Sequence, residues 1–308
     1  MNEVLTSLPE ERLSRARVAL EGLSVGDAFG DQFFFASDAL MYVKHREMVL
    51  QKWRWTDDTN MASSIYSILR QYGEINQDAL ARSFAKQYHS SRGYGPAMHG
   101  LLGKIGLGMD WRMVSKELFS GQGSLGNGGA MRVAPVGAYF ADDLDKVVEQ
   151  ARKSAEVTHA HEEGIAGAIA VAVAAAYAYR LRGQMPPTRQ TFIDMVLPHV
   201  PESEVREKIR HARDLATESS VMLAVSALGN GSQVTAQDTV AFTLWCAGEQ
   251  LGNYEEALWL TASGMGDVDT TCAIVGGIVA SHVGLEGIPQ AWIEAREPLP
   301  EWAFEEVS

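Results

Sequence analysis

Apolar residues recur along this chain at helical spacing, and no segment alternates polar and apolar residues for long. In residues 61–69 they stand at positions i, i+4, i+7 and i+8, which is the pattern of one helix face. Similar stripes cover four further segments: residues 10–26, 143–157, 203–217 and 236–250. Another helix is expected around Leu258, ending near Gly264. The periodicity therefore predicts an all-α fold.

Two features predict close packing inside that fold. Residues 164–179 form an uncharged, alanine-rich run of sixteen, which is shorter than the ~20 apolar residues of a membrane span and indicates a buried core helix. Gly22, Gly26 and Gly30 are four residues apart. On a helix they would form one smooth face that a second backbone can approach closely.

Loops are expected at the glycine-rich residues 121–129 and at Pro186 and Pro187, which interrupt any preceding helix. No internal repeat or long linker divides the chain. We therefore expect residues 1–308 to form a single compact domain.

Composition narrows the class of protein. Hydrophobic residues make up 46% and charged residues 21% of the chain, which is ordinary for a globular protein and unlike a disordered one. Lys and Arg number 26 against 39 Asp and Glu, and the resulting charge of −13 repels phosphate backbones and anionic lipids. Nucleic acid is therefore not expected as the default partner.

The cysteines and the amino terminus favour a reducing cytoplasm. Cys246 and Cys272 lie in apolar stretches and form no CxxC pair. A signal peptide is not expected, because charges interrupt the amino terminus before an apolar run can form. These charges are Glu3, Glu10, Glu11, Arg12 and Arg15.

Two clusters of the same composition each precede a predicted helix. The first is WTDDT at 55–59, before a helix expected to begin near Asn60, and the second is GDVDTT at 266–271. Helix capping is the simplest interpretation, but a cap needs only one side chain of each cluster. If the two helix starts meet in the fold, four carboxylates share a small volume, which favours protonation or bound cations.

The chemistry of these side chains points to hard cations. Carboxylates and threonine hydroxyls, with no nearby Cys and no HExxH-type pair, suit Mg²⁺ or Mn²⁺ better than Zn²⁺. Two such ions would balance four aspartates, orient substrate oxygens and activate water for attack.

The glycine-rich residues 121–129 contain five glycines and open with a literal GxGxxG. A dinucleotide fold needs a strand before this motif, and the preceding DWRMVSKELFS has a helical pattern, so we reject that fold. A loop with backbone N–H groups close to a ligand fits better, and a mobile connector is the alternative. His159 and His161 follow; each alone favours a capping or core role, and position near the other motifs makes His159 a candidate.

Five motifs in order resemble the ADP-ribosylglycohydrolase family, whose bacterial type is the dinitrogenase-reductase-activating glycohydrolase. They are GLSVGDAFG (22–30), WTDDT (55–59), GNGGAMR (126–132), THAH (158–161) and YEEALWLTASGMGDVDTTCAIVGG (254–277). The likeness extends over about 250 residues, and RGYG at 92–95 also resembles a family segment. It implies a compact, all-α, orthogonal helix bundle with two Mg²⁺ or Mn²⁺ ions that removes ADP-ribose from an acceptor.

Site residues follow from the resemblance motif by motif. The implied metal ligands are Thr56, Asp57, Asp58, Asp267, Asp269 and Thr270. Asp57, Asp58 and Asp269 carry the implied catalytic role as well. The implied substrate-binding residues are Asn127, Gly128, Gly129, Ala130, Met131 and His159.

The chain departs from the family at one position. Many members read GDAxGxxxEF, whereas this chain reads GDAFGDQFFF, which places Phe34 at the glutamate position. Asp31 is a candidate substitute. The other interpretations are that the chain hydrolyses a different linkage or that it is a slow or inactive member of the family.

The expected reaction is attack of metal-activated water on the anomeric carbon of the ribose, with the ions holding its hydroxyls and the glycine loop holding the diphosphate. The acceptor is an ADP-ribosylated protein or small molecule, by default through N-linked arginine, with O-linked serine or a nucleobase behind it. Two alternatives stay open: an ADP-ribose-binding protein without turnover, and a metal-dependent phosphohydrolase.

Overall fold

The computed structural model describes residues 9–34 and 36–305. Glu3, on which part of the expectation about the amino terminus depends, and Phe35 of the GDAFGDQFFF segment lie outside these residues. Within them the secondary structure is helical, and only two isolated bridges pair extended residues, Trp53 with Arg296 and Gly126 with Thr235. The predicted all-α class is confirmed.

The first half of the described chain contains nine α-helices. Their bounds are α1 Pro9–Phe34, α2 Ala39–His45, α3 Asp57–Tyr72, α4 Gln77–Gln87, α5 Pro96–Gly106, α6 Trp111–Gly121, α7 Gly128–Met131, α8 Ala134–Tyr139 and α9 Leu144–Glu156. The second half of the described chain contains eight. Their bounds are α10 Glu162–Arg180, α11 Arg189–Val196, α12 Glu204–Asp214, α13 Val221–Leu228, α14 Ala236–Glu249, α15 Tyr254–Ala262, α16 Val268–Val283 and α17 Gln290–Ala295. Short 3₁₀ turns lie at Ser90–Arg92, Leu197–His199, Leu285–Gly287 and Glu301–Ala303.

The contact between α1 and α16 is the most extensive between two helices of the described chain. A Cβ placed on Gly22, Gly26 or Gly30 would lie 2.1–2.4 Å from atoms of α16, closer than such atoms can come. At Gly26 the nearest atom is the carbonyl oxygen of Cys272, at 2.1 Å. The predicted smooth face therefore exists, and it brings two backbones into direct contact.

The alanine-rich helix α10 lies in the centre of the core, as its sequence predicted. Within α10, residues 166 and 168–176 expose none of their surface. α8 approaches α10 so closely that a Cβ on Gly137 would lie 2.0 Å from the carbonyl oxygen of Ala172. Small side chains thus allow α10 to be surrounded by other helices.

Most predicted helices are confirmed within a few residues, including α9, α12, α14 and α15. Two boundaries differ from the prediction. α3 begins at Asp57 rather than near Asn60, because Thr56 is its N-cap. α1 continues through the GDAFG motif to Phe34, well beyond residue 26, since its packing against α16 stabilises glycines that would weaken an isolated helix.

Both cysteines are buried and free. No helix of the described residues is long and apolar enough to cross a membrane.

The contact between α1 and α16 makes Gly26 intolerant of a larger side chain. Gly26→Ala should lower the free energy of unfolding by about 1–3 kcal/mol, because the added methyl group overlaps backbone atoms. Chemical denaturation measures the difference. Gly100→Ala in α5 is the matched control: its Cβ would meet nothing within 4 Å, so it should be neutral or stabilising by about 0.5–1 kcal/mol. Equal effects of the two substitutions would contradict this interpretation.

Candidate active site

The start of α3 is tied to α1 by hydrogen bonds to one aspartate. The backbone N–H and the hydroxyl of Thr56 donate to the Asp27 carboxylate at 2.9–3.1 Å. Thr59 donates to Asp27 Oδ2 through its backbone at 3.1 Å and its hydroxyl at 2.5 Å. Asp27 exposes none of its surface. These bonds place the first aspartate cluster directly beside α1.

Sequence reasoning did not single out Asp27. It lies in the quoted GLSVGDAFG motif, on the helix whose glycine spacing predicts close packing. The available signal was that Asp27 carries the one charge between Glu21 and Asp31 of a core helix, and a charge in such a position needs partners.

Capping explains only part of the two clusters. The Thr56 side chain accepts from the Asp58 backbone N–H, so Thr56 caps α3. Asp267 occupies the equivalent position before α16 but makes no side-chain cap. Its Oδ2 instead accepts from Asn127 Nδ2 at 2.7 Å. Of the two helix starts, only that of α3 is therefore capped by the side chain of its N-cap residue.

The structure brings the two clusters together. Asp57 and Asp58 expose 8% and 1% of their surface, whereas Asp267 and Asp269 are partly exposed. Burial, together with repulsion from Asp27, raises the pKa of Asp57 to about 8. The pKa values of Asp58 and Asp269 are raised well above the ordinary range by burial and by the charges of the other cluster. Carboxylates 209 or more residues apart in sequence therefore act on one another.

Two carboxylate oxygens at this place fit a cation. Asp58 Oδ1 and Asp269 Oδ1 are buried and have no hydrogen-bond partner, which is costly for a charged group. No three His, Cys, Asp or Glu side chains in the described part of the chain converge on a ready-made metal position. The site therefore fits a hard divalent ion through the chemistry of its side chains and not through a preformed geometry. It offers carboxylate oxygens without hydrogen-bond partners, neighbouring threonine hydroxyls and a surplus of negative charge.

One buried cation faces the clusters. Arg132 exposes none of its surface, and its guanidinium donates to the Ser154 carbonyl and the Thr158 hydroxyl at 3.0 and 2.8 Å. Burial lowers the pKa of Arg132 to about 9, so it keeps its charge at neutral pH. That charge lowers the pKa of Asp57, and Arg54 acts on Asp27 and Asp269, but two arginines do not balance all the aspartates.

The RGYG segment also lies at the site. A Cβ on Gly93 would lie 3.4 Å from Asp57 Oδ1. Arg92 stacks over Trp55 at 3.5 Å and donates to the Trp55 carbonyl. The Tyr94 hydroxyl accepts from Asn60 at 2.9 Å. The segment therefore covers the start of α3.

Three glycines of the loop, Gly123, Gly126 and Gly128, pack against the residues that directly precede α10. A Cβ on Gly128 would lie 2.6 Å from the His159 ring, and one on Gly126 would lie 3.2 Å from it. His159 is 5% exposed, and its Nδ1 lies 2.7 Å from the Thr158 hydroxyl. Burial and the charge of Arg132 lower the pKa of His159 to about 3. At neutral pH the imidazole is therefore uncharged.

Several backbone N–H groups of the glycine loop already donate hydrogen bonds within the protein. The backbone N–H groups of Gly123, Gly126 and Asn127 donate to Leu118 O, Ser124 Oγ and Val234 O. The four-residue helix α7 then begins at Gly128, within the segment expected to bind substrate. Residues 128–131 of the motif therefore lie in a short helix rather than in an open loop.

The position of the missing glutamate lies near an ion pair. Phe34 is 46% exposed. One turn earlier, Asp31 accepts from Arg54 Nε at 2.9 Å and Nη2 at 3.3 Å. Asp31 is therefore paired with Arg54, and its role as a substitute for the glutamate stays a prediction.

Comparison with known proteins gives a consistent result. A family model described as ADP-ribosylglycohydrolase matches residues 8–307. The ADP-ribosylhydrolase ARH3 of Xenopus tropicalis is 31% identical over 324 residues, covering 91% of this chain and 90% of that protein. The ADP-ribosylarginine hydrolase Tri1 of Pseudomonas putida is 24% identical over 304 residues, covering 94% of this chain and 76% of its own length.

A solved structure described as an ADP-ribosylglycohydrolase-related protein complex has the same fold. Its TM-score to this chain is 0.68 at 23% identity, with 96% of both chains covered. This likeness agrees with the all-helical architecture.

The aspartate clusters predict a definite pH dependence of stability in protein treated with a chelator. Asp27 and Asp57 have folded-state pKa values of about 6 and about 8, against 3.8 ordinarily. The folded state therefore binds more protons than the unfolded state above about pH 4, and stability should fall as pH rises to about 8. Thermal unfolding across this range measures the fall, and excess Mg²⁺ should reduce it.

Two variants test the source of that effect. Asp58→Asn removes one interacting charge and should flatten the pH profile. Asp142→Asn is the control, since Asp142 is an aspartate paired with Arg15 at 2.8 Å elsewhere in the fold; it should leave the slope unchanged. A wild-type profile that is flat or rises with pH would contradict the assignment.

Proposed function

Because this chain belongs to the ADP-ribosylglycohydrolase family, we propose that it releases ADP-ribose from an ADP-ribosylated acceptor by hydrolysing the bond at the anomeric carbon of the ribose. Membership makes the chain a glycosidic-bond hydrolase. The proposal adds the site, the ions and the acceptor. It is carried by one observation: two distant aspartate clusters converge beside a packed glycine loop, with orphaned carboxylate oxygens between them.

Six side chains would hold two Mg²⁺ or Mn²⁺ ions. They are Thr56, Asp57, Asp58, Asp267, Asp269 and Thr270. When bound, such ions orient substrate oxygens and supply an activated water. Turnover would depend most on Asp57, Asp58 and Asp269, to which the family resemblance gives the catalytic role; Asp58 and Asp269 also carry the buried oxygens without a hydrogen-bond partner.

Other residues of the chain hold these ligands in place. Asp27 accepts from both the backbone and the hydroxyl of Thr56, which fixes the first cluster against α1. Asn127 donates to Asp267 and to the Thr239 hydroxyl, which links the glycine loop to the second cluster. Precise orientation of ligands by such partners is a large part of their effectiveness.

The substrate would lie along residues 127–131 next to His159. Asn127, Gly128, Gly129, Ala130 and Met131 form or flank α7, whose first turn is the part of the loop suited to a phosphate. The His159 ring packs closely against Gly126 and Gly128, next to this turn. Its lowered pKa means that it acts as an uncharged wall or hydrogen-bonding group and not as an acid.

N-linked arginine is the acceptor we propose first. The name of the Pseudomonas putida relative specifies ADP-ribosylarginine, whereas the name of the Xenopus tropicalis relative specifies no acceptor. O-linked serine and ADP-ribosylated bases or small molecules are the other acceptors to be compared. Phe34 is the reason for comparing these acceptors, because it places an apolar ring where the family resemblance implies a carboxylate.

The same position supports a second candidate, an ADP-ribose-binding protein without turnover. Phe34 carries no charge, and Asp31 is held by Arg54. In that case the protein would bind ADP-ribose but release none from any acceptor.

A panel of ADP-ribosylated acceptors separates these functions. Arginine-linked, serine-linked and base-linked substrates are offered with Mg²⁺, with Mn²⁺ and with a chelator. We expect free ADP-ribose in the presence of metal and none with chelator. Release of AMP would instead show a phosphohydrolase, and calorimetric binding of ADP-ribose without release would show the binding protein.

Two substitutions test the site itself. Asp57→Asn and Asp269→Asn should each lower the rate of ADP-ribose release at least about 100-fold and weaken metal binding, because each removes a charged ligand. Asp142→Asn, outside the site, should retain normal activity. Near-normal turnover in both site variants would refute the assignment.

A further inference from the structure

Five non-glycine residues of the described chain adopt a left-handed backbone conformation. They are Arg46, Phe119, Ser120, Val234 and Met265. Val234, with φ of 56°, is the one β-branched residue among them. A branched Cβ tolerates this conformation poorly, so Val234 is held in a strained backbone.

The strained residue lies at the junction of the two parts of the candidate site. Val234 O accepts from Asn127 N at 3.2 Å, and Val234 N donates to Gly231 O at 2.7 Å. Gly231 packs so closely on the second cluster that its Cβ would lie 2.6 Å from Asp267 Cβ. Val234 therefore occupies a turn held between the glycine loop and the aspartates.

Packing in the folded protein does not offset this strain. The residue is 54% exposed and is not among those that pack against the core. Met265, also left-handed, does pack against the core, so its side chain gains from burial. A glycine at position 234 would keep the same turn without strain, which leaves the valine side chain without a structural benefit.

We propose that Val234 is a specificity-determining residue whose isopropyl group makes apolar contact with the bound ADP-ribosyl unit. It would form the apolar wall of a subsite whose polar side is Asn127 and the first turn of α7. Contact with the ligand then supplies the benefit that the free protein lacks, which is the usual reason for strain near a binding site. This inference rests on the proposed function.

Substitutions that relieve the strain should separate binding from stability. In Val234→Gly and Val234→Asn the left-handed turn is tolerated and the apolar contact is lost. We expect a melting temperature equal to or above that of the wild type, with KM for the ADP-ribosylated substrate and the Kd for ADP-ribose raised about 10-fold. The value of kcat should change little, because Val234 is not among the side chains proposed to hold the ions.

Two further variants isolate the side chain. Val234→Ile keeps an apolar group and should restore KM and Kd to near the wild-type values. Ser232→Gly adds a glycine to the same exposed turn without removing an apolar group, and should leave both constants unchanged. An effect of Ser232→Gly equal to that of Val234→Gly would attribute the loss to loop flexibility and overturn the proposal.

The remaining outcomes are also decisive. If Val234→Gly and Val234→Asn both lower the melting temperature, the side chain has a structural role and the proposal is wrong. Unchanged KM and Kd in both variants would overturn it as well. If the wild type binds ADP-ribose without releasing it, the proposed catalysis fails while the Kd values still test Val234. Absence of both binding and release would overturn both proposals.

Discussion

Direct backbone contact between α1 and α16 is the constraint from which the site follows. Gly22, Gly26 and Gly30 leave no room for a side chain between the two helices, so their relative position is fixed. This position sets Asp27 of α1 beside Asp269 in the first turn of α16. Asp27 then holds Thr56 and Thr59, so that the start of α3 joins the same place. Three helices thereby deliver acidic side chains to one volume.

The arrangement is electrostatically unfavourable for the folded chain. Each aspartate loses water on burial and meets the charges of the others, which raises the pKa values of Asp57, Asp58 and Asp269. Arg132 is a nearby buried cation, but its guanidinium is held by Ser154 and Thr158, and Arg54, which also acts on Asp27 and Asp269, is paired with Asp31. A core built on close contact between rigid helices can sustain such a cost, because separating the aspartates would require the helices to separate.

The sequence predicted the features that depend on local pattern. Helical periodicity identified the core helices, glycine spacing predicted the close face of α1, and the repeated composition of the two clusters predicted their convergence. The role of Asp27 was missed because one aspartate in a helix carries no periodic signal, and its partners lie 29 and 32 residues away. The hydrogen bonds of the glycine loop were equally unpredictable, since they depend on residues 118 and 234 in other elements. The roles of the candidate site residues stay predictions.

The parts of the site differ in how freely their residues can change. The aspartates are fixed by helix starts and by buried hydrogen bonds, so a substitution there disturbs both charge and fold. Phe34 and Val234 are about half exposed and carry no charge. Differences between related chains in the acceptor or in the fit of ADP-ribose can therefore arise at such exposed positions without altering the aspartates.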